Sequence, residues 1–367
     1  NRRYYPEGVA GPAFSVQSLA EEVSVMGHDA SVICLRTSEC DIAEHNGVSI
    51  HRLSQTAEPD ETIATVQQIL SVERPDVVHT NWLNGFPAVQ LGRLIRQTGT
   101  RLVHTVREYG FLCQNGTMYR PQTGPCQSVC EDCHSVVAAL REFTQAVDAV
   151  VGVSRFCLNA HLQAGLFAET SQLVVVHNSF RGPAEPALGL PESRRLRLGF
   201  LGRIHPVKGI FWLLRKLSDS SLADGVHLTI AGNAPPDLPQ RLASEFSNLH
   251  LECMGFASPS ELMNRIDWLV TPSICHDALG RVVLEAFAFG VPVLGSRMGG
   301  IPEIIRHGEN GRLFSPFEPG DVLKELTWIL ENRDQWPSYR AHAWTSRDAF
   351  TPEQIAAEYL RVYRGNG

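Results

Sequence analysis

The sequence predicts an α/β protein with two doubly wound domains facing each other across a cleft. Short β-branched segments alternate with amphipathic stretches along the chain, which is typical of parallel sheets covered by helices. The chain has 367 residues, more than one hydrophobic core usually serves. Residues 181–195, rich in Pro, Gly and charge, separate two such series and predict a linker.

We expect the first domain over residues 1–180. Its strands are predicted at Ala30–Leu35, Val48–Leu53, Asp76–Thr80, Arg101–Val106, Ala149–Val153 and Gln172–Val176. Helical patterns include Phe14–Met26 and Pro87–Arg96. A doubly wound domain normally opens with a strand, but only a few, mostly polar or aromatic residues come before the first glycine turn. We expect that strand to be very short or to lie before Asn1.

The second domain is expected over residues 196–350. Its strands are predicted at Leu196–Leu201, His227–Ala231, His250–Met254, Trp268–Thr271 and Val291–Leu294. The last segment, 351–367, contains an amphipathic pattern at Pro352–Arg364. Thr351 is a suitable cap for this helix, and proline is favoured at a first helical position.

Composition and missing motifs exclude several classes of protein. The formal net charge of −7 argues against a nucleic-acid partner, and no apolar run reaches the roughly 18–20 residues of a membrane span. The first residues, NRRYYPEG, lack the apolar core of a signal peptide. The sequence has no G-x-G-x-x-G, no G-x-x-x-x-G-K-[ST] and no G-x-S-x-G motif, which disfavours dinucleotide redox enzymes, P-loop enzymes and common α/β hydrolases. Peripheral membrane contact stays compatible with the sequence.

The most informative segment is Asp277–Glu303, DALGRVVLEAFAFGVPVLGSRMGGIPE. A helix is predicted to begin near Gly280, and its unpaired N–H groups would attract phosphate. Glu285, one turn further on, could accept from a sugar hydroxyl, and Asp277 lies before the same helix end. Together these residues predict a pocket for a nucleotide diphosphate that carries a group rich in hydroxyls.

Cations are expected to face this pocket. GFLGRIHPVKG, residues 199–209, places Arg203 and Lys208 on the loop after the first strand of the second domain. Two cations near a helix N-terminus suit a diphosphate leaving group, although solvated surface charges are the alternative. Gly11, at the start of the first helix, makes a second close-approach turn, which alone is a weak signal.

The segment Val103–Cys113, VHTVREYGFLC, continues from a strand into a cysteine-rich loop. Strand alternation predicts His104 and Val106 on one face and Thr105 and Arg107 on the other. Arg107 and Glu108 come at the carboxyl end of the strand, where site residues are expected. His104 and His79 are interpreted as core histidines. His177 and Asn178 either face the cleft or pack at the hinge.

Four cysteines cluster in the loop 113–134. Cys113, Cys126, Cys130 and Cys133 have the spacing C-x12-C-x3-C-x2-C. They could hold a structural zinc ion, with His134 as a spare ligand; a disulfide and free thiols are the alternatives. Cys34, Cys40, Cys157, Cys253 and Cys275 are scattered and are expected to pack as small hydrophobes.

With these residues in place, the chain resembles a retaining glycosyltransferase of family four, the group 1 glycosyl transferases with the GT-B fold. The resemblance covers nearly the whole sequence. It is strongest in GFLGRIHPVKG, HLTIAGNAPP, DALGRVVLEAFAFGVPVLGSRMGGIPEII and HGENGRLF. Weaker matches are AGPAFSVQSLAEEVSVMGHDASV, VGVSRFCLNAHLQAG and VVVHNSF. It implies that the C-terminal helix, 351–367, packs back on the acceptor-side first domain and that residues 196–350 bind the nucleotide sugar.

The resemblance also implies roles for single residues. Arg203 and Lys208 match the diphosphate-binding pair, Glu285 the ribose-binding acid, and Asp277 the acid that contacts the donor sugar. Further donor contacts would come from Gly11, from the backbone of Gly280, Arg281 and Val282, and from the peptide groups around Met254 and Phe256. Arg107 stands at the position of the usual active-site histidine and, with Asp277, would orient the sugar. Asp277 is one methylene shorter than the usual Glu, and Ala10 replaces the first glycine of the first turn.

The implied reaction is transfer of a hexose from a nucleotide sugar to an acceptor hydroxyl with retention of configuration and without an obligatory metal. UDP is the first expectation for the nucleotide and GDP the second. A nucleotide-sugar 2-epimerase and an inactive nucleotide-sugar-binding protein are the alternatives. We expect a role in bacterial polysaccharide or glycoconjugate synthesis, in the cytoplasm or at the inner face of the membrane. The acceptor is expected to be a glycan or a small molecule.

Overall fold

The computed structural model describes residues 1–6, 11–36, 42–187 and 193–365. Four features named above lie outside these residues: Ala10, Cys40, residues 188–192 of the predicted linker, and the last two residues of the C-terminal segment. In the described part, no helix is both long enough and apolar enough to cross a membrane.

The strands alternate with helices along nearly the whole chain. In chain order the strands are β1 Ala30–Arg36, β2 Glu44–His45, β3 Val48–Ser54, β4 Val77–Thr80, β5 Arg101–Val106, β6 Tyr119–Arg120, β7 Gly124–Pro125, β8 Ala149–Gly152, β9 Gln172–Val175, β10 Leu196–Leu201, β11 Val226–Ala231, β12 His250–Gly255, β13 Trp268–Thr271, β14 Val293–Ser296 and β15 Gly311–Phe314.

The helices are α1 Gly11–Val25, α2 Pro59–Glu73, α3 Ala88–Thr98, α4 His134–Gln145, α5 Arg155–Gln163, α6 Ile210–Ser218, α7 Leu238–Glu245, α8 Pro259–Met263, α9 Arg281–Ala288, α10 Ile301–Ile304, α11 Asp321–Glu331, α12 Trp336–Ser346 and α13 Pro352–Arg364. Single 3₁₀ turns include Glu131–Cys133 and Pro206–Lys208.

The chain divides into two compact units. Unit 1 comprises Asn1–Met118, Cys126–Ser179 and Thr351–Gly367, and unit 2 comprises Tyr119–Pro125 and Phe180–Phe350. The boundary at Ser179 differs by one residue from the predicted end of the first domain. The segment Tyr119–Pro125, which carries β6 and β7, belongs to unit 2 although the sequence placed it in the first domain.

Unit 1 has its strands in two sheets within the described residues, in the orders β1-β3-β2 and β4-β5-β8-β9. The strands of the second sheet are all parallel. Helix α13 packs against α1 and β5, and Ile355, Ala356, Tyr359 and Val362 join the core formed by β5 and β8. The Thr351 hydroxyl caps α13 by accepting from the Gln354 N–H at 3.3 Å.

The first residues of the chain run beside β1. The Asn1 nitrogen donates to the Ile33 carbonyl at 2.9 Å, and the Leu35 N–H donates to the Arg2 carbonyl at 3.2 Å. A cavity of about 140 Å³ is lined by Asn1 and by residues of β1, β4, α2 and α3. The two sheets of unit 1 therefore border a space that side chains do not fill.

Unit 2 has a parallel sheet with the strand order β12-β11-β10-β13-β14-β15 in the described part. Its core is apolar and includes Leu198, Phe200, Ile230, Trp268 and Phe314. Because β10 and β13 are parallel neighbours, the loops after their carboxyl ends lie at the same edge. This edge carries the residues predicted to bind the donor.

Two expectations about the strands of the second domain need correction. The strand predicted at Val291–Leu294 begins two residues later, because Pro292 has no N–H for the ladder. The sequence reading missed β15, which has only two apolar residues among its four. Where it is described, the predicted linker makes hydrogen bonds within unit 2: the Ala187 N–H donates to the Phe289 carbonyl at 2.9 Å, and the Arg347 guanidinium donates to the Pro183 carbonyl at 2.7 Å. Its residues 188–192 lie outside the description.

Candidate functional site

The loop after β10 is fixed against the segment after β13. Gly209 closes the turn Pro206–Lys208 with φ +74°, and a Cβ on it would lie 1.7 Å from the Pro272 carbonyl oxygen. The Ile274 N–H donates to the Val207 carbonyl at 3.0 Å. Only glycine tolerates both this φ and this approach. The loop therefore places Lys208 at a defined position next to the end of β13.

Lys208 forms an ion pair with Asp277. The Lys208 ammonium lies 2.5 Å from Asp277 Oδ2, and the side chains are 31% and 17% exposed. Burial alone would raise the pKa of Asp277, but the Lys208 charge and the hydrogen bonds to the carboxylate hold it below its usual value. Burial alone would lower the pKa of Lys208, but the Asp277 charge raises it. Both groups are therefore ionised at neutral pH.

The backbone around Asp277 is held by two glycine turns. Asp277 Oδ1 accepts from the Gly280 N–H at 3.1 Å, and the Asp277 carbonyl accepts from the Gly300 N–H at 2.8 Å. Gly299 has φ +62°, and a Cβ there would lie 2.0 Å from the Asp277 carbonyl oxygen. Ser273 also donates to Asp277 Oδ2 at 3.4 Å. Asp277 is consequently oriented from both sides.

Helix α9 begins where the sequence predicted it. Gly280 precedes it with φ +83°, and Arg281 and Val282 are its first residues. The first N–H groups of a helix have no partner within it, so this terminus is suited to an anion. Arg281 Nε donates to Glu285 Oε1 at 2.9 Å, and the guanidinium lies 5.7 Å from the Phe180 ring centre. Glu285, predicted to bind ribose, thus has one oxygen engaged by Arg281.

The remaining cations of the loop are more exposed. Arg203 is exposed, and His205 turns its Nδ1 towards the Val207 N–H at 3.4 Å. Burial, followed by the charges of Arg203 and Lys208, lowers the pKa of His205. The two predicted diphosphate ligands therefore lie close enough for their combined field to act on one side chain.

The other predicted donor contacts come from different parts of the chain. Met254 and Gly255 are at the end of β12, which is the edge strand of the sheet, and Phe256 is 73% exposed. Gly11 is in unit 1 at the first position of α1, where its carbonyl accepts from the Ser15 hydroxyl at 3.1 Å. The roles that the resemblance implies for these residues stay predictions.

In unit 1, Arg107 is buried at the carboxyl end of β5. Its Nε and Nη2 donate to Asn81 Oδ1 at 3.0 and 2.5 Å, and its Nη1 donates to Asn178 Oδ1 at 3.0 Å. Glu108, next in the chain, accepts from the Gly110 N–H, and burial raises its pKa. A guanidinium does not lose its proton in proteins, so Arg107 can orient a ligand or stabilise charge but cannot act as a base.

Of the two histidines interpreted as core residues, His104 is buried and His79 is half-buried. His104 packs among Phe111, Phe143 and Phe167. His79 contacts Thr105 and Tyr363, each at 2.7 Å. Thr105 and His104 therefore lie on opposite faces of β5, as alternation predicted. His177 turns its Nδ1 to the Val153 carbonyl at 2.8 Å.

The zinc site proposed for the cysteine loop stays a prediction. Among the described residues, no group of three or more His, Cys, Asp or Glu side chains is placed to hold a metal ion. Cys113, Cys126, Cys130 and Cys133 are present as thiols and not as disulfides. Burial, together with the neighbouring Cys130 and Cys113, raises the pKa of Cys133 to about 11. A bound zinc ion would itself stabilise the thiolates, so the raised pKa of Cys133 describes the thiols without metal.

The sequence reading missed residues that support the predicted ones. Asn81 holds Arg107, and Ser273 and Gly299 orient Asp277. One signal was available for Asn81, since it directly follows the strand Val77–Thr80 at the edge where ligands of parallel sheets bind. Ser273 and Gly299 had no local signal of this kind.

Comparison with protein families matches both halves of the chain. Residues 10–179 match the model described as "Glycosyl transferase 4-like domain", and residues 195–332 match "Glycosyl transferases group 1". A relative from Klebsiella pneumoniae, an uncharacterized 42.6 kDa protein in the cps region, is 26% identical over 396 residues, covering 100% of this chain and 98% of the relative. The D-inositol 3-phosphate glycosyltransferase of Nocardioides sp. is 26% identical over 321 residues, covering 79% and 67%.

Solved structures share the fold. HepE of Anabaena, in complex with UDP and glucose, superposes with a TM-score of 0.76 at 16% identity, covering 100% of this chain and 98% of HepE. Sucrose-phosphate synthase of Thermosynechococcus elongatus gives a TM-score of 0.77 at 18% identity, covering 100% and 95%. These similarities confirm the predicted GT-B fold of two Rossmann-like domains.

Proposed function

Because the chain belongs to the glycosyl transferases group 1 family, we propose that it is a retaining hexosyltransferase that uses UDP-sugar. The observation that carries this proposal is the Lys208–Asp277 pair beside the N-terminus of α9. The use of UDP is supported by the structurally similar HepE, which was solved with UDP, with UDP and glucose, and with UDP-glucose.

In the proposed reaction, Lys208 and Asp277 have different roles. Lys208 has three N–H donors, so pairing with Asp277 leaves donors for phosphate oxygens. Together with Arg203 and the first N–H groups of α9, it would stabilise the negative charge that develops on the departing UDP. Ionised Asp277 can only accept hydrogen bonds, so it would orient hydroxyls of the donor sugar. Glu285 would hold the ribose after exchanging its contact with Arg281.

The acceptor proton needs another base. Arg107 cannot take it, for the reason given above, and Asp277 is engaged by Lys208. We assign the proton to the departing phosphate, which becomes more basic as the glycosidic bond breaks. Arg107 would orient the substrate. The reaction would therefore need no catalytic metal.

The wider role proposed is polysaccharide or glycoconjugate synthesis in the cytoplasm or at the inner membrane face. Membership of the glycosyl transferases group 1 family supports a role in glycan synthesis. The acceptor would be a glycan or a small molecule.

Nucleotide binding tests the donor site first. Calorimetric titration with UDP, GDP and ADP should show micromolar binding of UDP. UDP binding should be lost in the double variant Arg203→Ala/Lys208→Ala, because this variant removes both proposed phosphate ligands. The double variant Arg215→Ala/Lys216→Ala removes two exposed charges of α6 and should bind UDP as the wild type does. Equal binding by both double variants would refute the site.

The stereochemical course can be followed without knowing the acceptor. Proton NMR of the slow hydrolysis of UDP-α-glucose should show α-glucose before mutarotation mixes the anomers. Initial β-glucose would refute retention. Conversion of UDP-N-acetylglucosamine to its 2-epimer would instead identify an epimerase. Tight UDP binding without turnover of donors would favour an inactive binding protein.

A further inference from the structure

Three polar residues follow three strands of the sheet β4-β5-β8-β9 and meet at its carboxyl edge. Asn81 is the first residue after β4, Arg107 the first after β5, and Asn178 lies three residues beyond β9. The strands are parallel, so these ends share one edge of unit 1. The three side chains are joined directly by hydrogen bonds.

The contacts fix the guanidinium from two sides. Asn81 Oδ1 accepts from Nε and Nη2 of Arg107, and Asn178 Oδ1 accepts from Nη1. Arg107 is 8% exposed and Asn81 is 6% exposed. A guanidinium is planar and its donors have a fixed directional pattern. Because acceptors lie on both sides of the guanidinium, the group is held in a single orientation.

The chemistry of the two partners is as informative as their positions. Carboxamide oxygens accept hydrogen bonds without bringing a negative charge to the cation. Hydrogen bonds to these two acceptors therefore orient the guanidinium without themselves neutralising it. If these hydrogen bonds served only to hold the strand ends together, a neutral residue could replace Arg107.

We propose that Asn81 and Asn178 are positioning residues that hold Arg107 in the orientation required for sugar transfer. This inference rests on the proposed transferase function, in which Arg107 contacts the substrate. Asn81 contributes more than Asn178, since it accepts from two nitrogens. The two amides act through Arg107 and do not touch the nucleotide.

A double-mutant cycle tests the proposal, with release of UDP from UDP-glucose as the activity. Asn81→Ala should lower kcat by about 10- to 100-fold, because small displacements of a catalytic group are this costly. Asn178→Ala should have a smaller effect. In an Arg107→Ala background, Asn81→Ala should cause no further loss, since its effect passes through the guanidinium. The Kd for UDP should stay within about twofold of the wild type in all variants, because the proposed UDP ligands are in unit 2.

Controls separate positioning from folding. Asn84→Ala removes an exposed amide three residues further on and should leave kcat and Tm unchanged. Asn81→Asp keeps an oxygen at the same position and should retain more activity than Asn81→Ala. If Asn81→Ala lowers kcat equally in the wild-type and Arg107→Ala backgrounds, or lowers only Tm, the inference is overturned.

A spectroscopic measurement keeps this inference distinct from the transferase proposal. In protein labelled with ¹⁵N-arginine, the Nε–H signal that disappears in Arg107→Ala should be narrow in the wild type and broadened in Asn81→Ala. An unchanged signal in Asn81→Ala overturns the positioning role. If this signal behaves as expected but wild-type protein never releases UDP from UDP-glucose, the transferase proposal fails instead. If UDP is released but the cycle is additive, only the positioning inference fails.

Discussion

Units 1 and 2 use the same alternation of strands and helices but have different interiors. Unit 2 surrounds one parallel sheet with an apolar core. The described strands of unit 1 form two sheets that border a cavity, and its interior includes the buried histidines His104 and His161 and the half-buried His79. Hydrophobic patterning predicts both units equally well. The polar interior nevertheless makes unit 1 depend on hydrogen bonds and on protonation.

A hydrogen-bonded chain shows this dependence. His79 Nδ1 contacts the Tyr363 hydroxyl and Nε2 contacts the Thr105 hydroxyl, each at 2.7 Å. Thr105 also contacts the Tyr359 hydroxyl at 3.1 Å. This network joins β4 and β5 to α13, the last helix of the chain. Protonation of His79 would therefore disturb contacts on which the C-terminal helix depends.

The largest expected difference between the units is their response to acid. Burial lowers the pKa of His79 to about 3 and of His161 to about 4 from 6.5, and it lowers the pKa of His104 well below 6.5. Unfolding lets these histidines bind protons at pH values where the folded state cannot. The free energy of unfolding of unit 1 should therefore fall as pH drops below 6.5, by about 2 kcal/mol per histidine between pH 7 and pH 5.

Hydrogen exchange followed by mass spectrometry, in urea at pH 7 and pH 5, would resolve the two units, with exchange corrected for its intrinsic pH dependence. Peptides of the sheet β4-β5-β8-β9 should lose protection at pH 5 before those of β10, β11 and β13. In His79→Gln, unit 1 should take up one proton fewer when it unfolds at pH 5, so its free energy of unfolding should depend less on pH. Equal losses of stability in both units would contradict the proposed role of the buried histidines.

The next largest effect separates the two charges of the candidate donor site in unit 2. Asp277→Asn should lower kcat for UDP release from UDP-glucose by about 10²- to 10³-fold, the typical cost of a lost electrostatic contact to the transition state. It should not weaken UDP binding, because it frees the Lys208 ammonium. Lys208→Ala should weaken UDP binding as well as turnover. Steady-state kinetics and calorimetry measure the two effects.

Asp237→Asn is the matched control for this prediction. Asp237 is 63% exposed in unit 2 and pairs only loosely with Arg241 at 3.7 Å, so its substitution should change neither kcat nor the Kd for UDP. If Asp277→Asn kept wild-type kcat, the role proposed for the carboxylate would be wrong.

The fold was predictable from the sequence because its signal is local. Runs such as Leu196–Leu201 and Trp268–Thr271 are apolar and lie between turn residues, and both became strands with the predicted bounds. The errors arose where the signal is short, as in β15, or where proline shifts a strand start, as in β14. The zinc site stays a prediction, because four thiols near each other in sequence need a specific loop geometry to bind metal.

The site was predictable only in part because its contacts are not local. Lys208 and Asp277 were predicted separately as phosphate and sugar ligands, but their ion pair depends on β10 lying beside β13. The contact of Arg107 with Asn81 likewise depends on β4 lying beside β5. Strand order is set by the packing of the whole sheet, so these partners have no signature in their own segments.

The smallest expected effect comes from a substitution in unit 2 that moves the backbone and removes no charge. Gly299→Ala places a Cβ 2.0 Å from the Asp277 carbonyl at φ +62°, so the backbone that carries Asp277 must move. Positive φ alone costs about 1–3 kcal/mol, and Gly308→Ala, with φ +91° and no atom within 4 Å of the added Cβ, has that cost alone. Both substitutions should lower Tm, and Gly299→Ala should lower it more than Gly308→Ala does. Only Gly299→Ala should lower kcat. Equal kcat in the two variants would mean that the Gly299 turn does not set the position of Asp277.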